Sequence, residues 1–97
     1  MLARVGYEWL GTALDGLRNL EPHEVLQVLD PRRRRWPRPA VTSSGVQVLS
    51  IWGRTNTGRP LIVAVRHVSG FDQLIVGARE MQAKELTEFE EWEARDE

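Results

Sequence analysis

Five side chains in the second half of the chain carry the chemistry of a phosphate site: Arg59, Arg66, His67, Arg79 and Glu80. A guanidinium is a planar fork that grips a phosphate through two parallel hydrogen bonds, and the three arginines fall near the ends of segments that read as strands. His67 is the only histidine in this region, and imidazole is the side chain best suited to carry a proton near neutral pH. Glu80, next to Arg79, can orient that arginine or act as a base. These five are the catalytic candidates. A plainer reading stands beside this one. Arginines at strand ends are commonly solvated edge residues, and residues 66 and 67 project to opposite faces of a strand unless it bulges, so one of them is structural.

A second group is denser. Arg32, Arg33, Arg34, Arg35, Trp36 and Arg38 crowd into one short segment, and Arg54 closes the next apolar run. Guanidiniums with an indole among them combine phosphate neutralisation with base stacking, which makes this a candidate surface for RNA or for an acidic partner. On an edge strand the same charges would also discourage edge-to-edge aggregation. Residues 1–30 hold two arginines against five acidic residues, residues 31–79 hold nine against Asp72 alone, and residues 80–97 hold Lys84 and Arg95 against eight. The formal net charge of -1 thus conceals a basic slab between acidic ends. With no cysteine, and only His23 and His67 as imidazole donors, neither a metal centre nor a cofactor is expected.

One domain must position these residues. Splitting 97 residues in two would leave each half near the ~40–50 residue floor for folding without staples, so 1–97 reads as a single unit. A composition 41% hydrophobic and 28% charged suits an ordered globular chain. No apolar run nears the ~18–20 residues of a membrane span and the N-terminus lacks a signal-peptide core, so a cytoplasmic protein without membrane contact is expected. Trp9, Leu10, Ala13, Leu14, Leu17 and Leu20 recur at threes and fours and predict an amphipathic helix over residues 5–20, weakened by Gly11 and Gly16. Pro22 opens a second helix that stops at Asp30-Pro31. Pro37 and Pro39 exclude a helix or a central strand but permit an edge strand, on which Trp36 would be exposed. Strands are predicted over 46–52, 61–68 and 73–79, with turns at 55–58 and 68–72. Ala83, Leu86, Phe89 and Trp92, spaced by threes, predict a C-terminal amphipathic helix. The sum is an α+β domain: two N-terminal helices, a three- to four-stranded antiparallel sheet and a C-terminal helix, with the helices over one face.

The string GRTNTGRPLIVAVRHVSGFDQLIVGARE, followed by KELTEFEEW, resembles the second half of the BrnT family of bacterial toxins, small ribonucleases of the RelE-like superfamily. Gly58-Arg59-Pro60-Leu61, Val63-Ala64-Val65 and Ala78-Arg79-Glu80 match the family's Gly-Arg hairpin, apolar strand and terminal Ala-Arg strand, and NLEPHEVLQVLDP is similar to its short second helix. The resemblance implies a RelE-like fold and the toxin half of a type II toxin–antitoxin system. Such a toxin cleaves RNA without metal, the 2′-OH attacking the adjacent phosphorus. It also implies a cognate antitoxin with a DNA-binding domain, through which alone DNA would be reached. In that scheme the three arginines hold the scissile phosphate while His67 and Glu80 move protons. The chain departs from the family where Arg18 and Asn19 replace a usual lysine and histidine, where Gly77 replaces a serine, and in its acidic last helix. Those departures point to the alternative, a catalytically silent RelE-like module that binds a DNA-binding partner protein.

Overall fold

The computed structural model describes residues 6–69 and 72–95. Its elements, in chain order, are β1 (Gly6–Trp9), α1 (Gly11–Asp15), α2 (Pro22–Leu29), β2 (Trp36–Val41), β3 (Gln47–Arg54), β4 (Pro60–Ser69), β5 (Asp72–Glu80) and α3 (Ala83–Glu93). Strands β2 to β5 form an antiparallel meander and β1 adds in parallel beside β5, giving the order β1-β5-β4-β3-β2. No helix among the described residues is long and apolar enough to cross a membrane.

Local chemistry explains the boundaries. The β3–β4 turn closes as the Thr55 amide donates to the Arg59 carbonyl and the Gly58 amide to the Thr55 carbonyl, both at 2.9 Å. Gly58 sits there at φ 91°, a left-handed conformation that a side chain would strain. Pro37 and Pro39 lie on β2, an edge strand, where a missing N–H breaks no internal ladder. Pro22 begins α2, whose first position needs no N–H donor.

The sheet separates two apolar layers. On one face Val25, Val28 and Leu29 of α2 pack against Ile51, Leu61, Val63, Val65 and Ile75, all almost wholly buried. On the other, Phe89 of α3 packs against Trp52 and Ile62, with Trp36, Met81 and Trp92 around it. The expectation of helices over a single face is therefore corrected. Adjacent positions such as Ile51 and Trp52, or Leu61 and Ile62, are both apolar, so both faces need cover. Helix α3 covers only the end of its face near Trp52 and Ile62.

The predicted helix over residues 5–20, of which residue 5 lies outside the described residues, is instead a strand, a five-residue helix and a turning connection in which Asn19 takes φ 60°. Tyr7 and Trp9 turn into the α2-side layer while Glu8 between them is exposed, the two-residue period of a strand, and the backbone pairs with β5. Ala13 is still buried, and Leu17 and Leu20 still reach the core, which is how their spacing imitated a longer helix. The sheet accordingly has five strands rather than three or four and is mixed rather than antiparallel. Of the turn predicted at 68–72, Gly70 and Phe71 lie outside the described residues.

Candidate functional site

Arg59, the last residue of the β3–β4 turn, projects to the α2 side of the sheet. Its Nη1 donates to both carboxylate oxygens of Glu24 at 2.9 Å, and its Nη2 donates to the Asn19 carbonyl at 2.9 Å and pairs with Glu80 Oε2 at 2.9 Å. Arg79 stands opposite Ile62, hence on the α3 side, and its two terminal nitrogens donate to the two oxygens of Glu85 at 2.6 Å each. Both receiving carboxylates occupy the third position of a helix. Each also accepts an amide from the start of its own helix, Glu21 N–H to Glu24 at 3.0 Å and Gln82 N–H to Glu85 at 2.8 Å. One glutamate therefore caps a helix and pins a strand-end arginine at once. The Glu21 amide, then Arg59, hold the Glu24 carboxyl below the usual carboxylate range; for Glu85 the Arg79 guanidinium does most of this.

Arg66 stands opposite Leu74 on the α3 side of the sheet but beyond the reach of α3, exposed and without an ion pair or hydrogen bond among the described residues. His67 stands opposite Gln73 on the other face, and both residues border a hollow of about 250 Å³ at the end of the sheet. The five catalytic candidates thus divide. Arg59, His67 and Glu80 belong to the α2 face, Arg66 and Arg79 to the α3 face. A bulge that leaves Val76 as an extra residue of β5 opposite Ala64 and Val65 does not bring the two sets together.

The basic run is a set of internal ties. Arg32 forks onto Asp30 at 3.1 and 2.9 Å and, with its own amide, draws that carboxyl down to about 2. Arg33 reaches Asn56 Oδ1 at 2.6 Å and the Thr55 carbonyl at 3.1 Å. Arg34 donates to the carbonyls of Glu93, Arg95 and Trp92 at 2.7, 2.9 and 3.1 Å, satisfying the open end of α3, while its guanidinium lies 4.4 Å from the centre of the Trp92 ring. Arg35 does the same for α2 through the Leu29 carbonyl at 2.7 Å. Arg38 bonds Glu88 at 2.9 Å and lies over the rings of Trp36 and Trp52, and Arg54 forks onto Glu93 at 2.9 and 2.8 Å. Trp36, expected to be exposed, is half-buried: it stacks on Trp92 at 5.3 Å and 3° and meets Trp52 edge-on at 5.5 Å. Although β2 is an edge strand, this residue faces α3. The glutamates that engage these arginines were missed by the sequence reading, although the segregation of charge along the chain was their signal.

The uncovered part of the α3 face is a trough. A hollow of about 410 Å³ runs over Val48, Ser50, Ala64, Val76 and Gly77 from Arg79 and Glu85 at the α3 end. It shares Thr42, Val48 and Val76 with an adjoining hollow of about 380 Å³ that is bordered by Leu10, Leu74 and Arg66. Ser50, on its floor, is already engaged, since its hydroxyl donates to the Arg38 carbonyl at 2.7 Å and accepts from Trp52 Nε1 at 3.1 Å. Among the described residues no group of three or more His, Cys, Asp or Glu side chains is arranged to hold a metal ion. No protein-family model matches the chain, and no curated protein is significantly similar to it in sequence.

Proposed function

We propose that the chain is a catalytically silent RelE-like module, the alternative to which its departures from the BrnT pattern point, and that it acts by binding a partner protein with a DNA-binding domain. The observation that carries this reading is the open, apolar half-face of the sheet beside Arg79, which the chain's own Glu85 already engages. A protein surface recognises apolar area whose polar groups are satisfied. A phosphodiester in a cleaving site needs cations, an acid and a base converging on one side of it, whereas Arg59 and Glu80 are separated by the sheet from Arg79. The departures at Arg18, Asn19 and Gly77 weigh the same way.

The decisive experiment is inducible expression of the chain alone in a bacterium, followed by growth and RNA integrity, together with co-expression of the protein encoded by the adjoining gene. Normal growth, intact RNA and a stable complex are expected. Growth arrest relieved by Arg79→Ala, with RNA cleavage indifferent to EDTA, would replace this reading with that of an active toxin.

A further inference from the structure

We infer that the trough on the α3 face is the seat of an amphipathic helix from that partner, laid across the strands beside α3 with a carboxylate set against Arg66. This deepens the module reading and rests on it.

The backbone of the floor decides the form of the occupant. Over the floor of the trough Ser50 stands between Arg38 and Ala64, and Ala64 between Ser50 and Gly77, so the backbone of β3 and β4 there is committed to neighbours on both sides, while β1 pairs with β5 only from Asp72 to Ile75. An extended segment lying on this face would find no ladder to join, and its own peptide groups would be buried against alkyl carbon without partners. A helix arrives with those bonds already made. Addition of a strand at the β2 edge is disfavoured separately, because Pro37 and Pro39 interrupt it.

The dimensions and side chains fit the same occupant. Ser50, Ala64 and Gly77 are register neighbours and make a low row across three strands. A Cβ built at Gly77 meets nothing within 4 Å, so the space above the row is open. On one side of the row rise Ile62 and Arg79 with α3, on the other Arg66 and Leu74. Arg66 lies four residue steps along β4 from Ile62, about 13 Å along a strand, which matches the roughly 10–12 Å of a helix with its side chains. Arg66 is exposed and without an ion pair among the described residues, so the occupant carries an acidic residue on that flank and apolar residues at three- and four-residue spacing toward Val48 and Val76.

The chain has no cysteine, so Gly77→Cys supplies a single thiol on the floor of the trough. The probe is the purified product of the adjoining gene. At saturation it should slow maleimide labelling of that thiol about tenfold or more, while a thiol at Leu26→Cys, exposed on α2 and across the sheet, keeps its rate. In calorimetric titration Arg66→Glu should weaken binding about tenfold and Arg66→Lys by less than about threefold. If the wild-type chain forms a complex, yet the labelling rate of Gly77→Cys and the affinity of Arg66→Glu are both unchanged, the seat is overturned and the module reading stays intact. No complex with the wild-type chain overturns the module reading beneath it. Protection of the thiol by poly(U), or by raising the concentration of the chain alone, overturns the inference in favour of nucleic acid or of a second copy.

Discussion

Arg79 and Glu85 meet fork to fork, both nitrogen–oxygen distances 2.6 Å, across the bend where β5 hands the chain to α3. The Met81 amide, inside that bend, bonds the Pro60 carbonyl at 3.0 Å, so the start of α3 is tied to two strands. This pair sets where α3 stops covering the sheet and where the trough begins. Arg59 and Glu24 are its counterpart on the other face, a strand-end arginine held by the third residue of a helix.

Loss of the Arg79 guanidinium should alter geometry more than stability. The arginine is about half exposed, at 53%, and exposed pairs contribute roughly 0.2–1 kcal/mol. Arg79→Ala is expected to lower the urea unfolding free energy by no more than about 1 kcal/mol. A loss above about 2 kcal/mol would mean that the pair holds α3 in place by itself, rather than sharing that role with Phe89.

Acid should act through the same capping carboxylates. Glu24 and Glu85 titrate below their ordinary 4.5, and Asp30 at about 2 rather than 3.8. As pH falls the unfolded chain therefore takes up these protons before the folded one does. The stability these groups contribute is complete above 4.5 and drains away below it, the Asp30 share between 3.8 and about 2. Urea midpoints followed from about pH 6 to about pH 2 should fall on the acid side. The deficit of Glu24→Gln relative to the parent chain should shrink over the same range; a deficit constant with pH would show that Glu24 acts only through its shape.

Arg34 offers a test of the C-terminal tie. Its guanidinium satisfies three carbonyls at the end of α3 while lying over Trp92, a geometry that an ammonium on a flexible stem does not reproduce. Arg34→Lys should lose about 1–2 kcal/mol and Arg34→Ala somewhat more. Tryptophan emission should shift to the red as Trp92 gains water. Equal stability of the lysine variant and the parent would reduce the contact to simple charge attraction.

What was legible in the sequence follows from how local each cause is. Pro22 and Asp30-Pro31 bracket α2 through proline chemistry that needs no distant partner, and the apolar alternation of β3, the apolar run of β4 and the threes of α3 were equally readable. The strand Gly6–Trp9 was not, because its ladder partner is β5 at the other end of the chain and four residues cannot outvote the helical spacing that continues to Leu20. The arginines were legible as types and not as contacts. Arg34 and Arg35 end on backbone carbonyls, which leave no trace in a sequence, and Arg59 and Arg79 end on glutamates whose doubled role depends on where the helices start.

The packing of α2 on the sheet makes the sharpest stability prediction, at Gly53. This β3 residue pairs with Leu61 of β4, and a Cβ placed there would lie 3.1 Å from Val28 Cγ1, 3.6 Å from Arg35 Cβ and 3.8 Å from the Val28 carbonyl. Val28 is itself 1% exposed, so its methyl has little room to retreat, and the chain on the far side is held by the bond from Arg35 to Leu29. Gly53→Ala should therefore destabilise by about 1–3 kcal/mol through overpacking, despite the gain expected from replacing a glycine in a strand. Val28→Ala should also destabilise, by about 1–3 kcal/mol, through the space it leaves. Combined, the two changes should cost less than their sum, because each relieves the other: the new methyl partly fills what Val28 vacates. Additive losses in that double-mutant cycle would mean that α2 shifts as a body to admit the methyl, and that Gly53 does not set the closeness of helix and sheet.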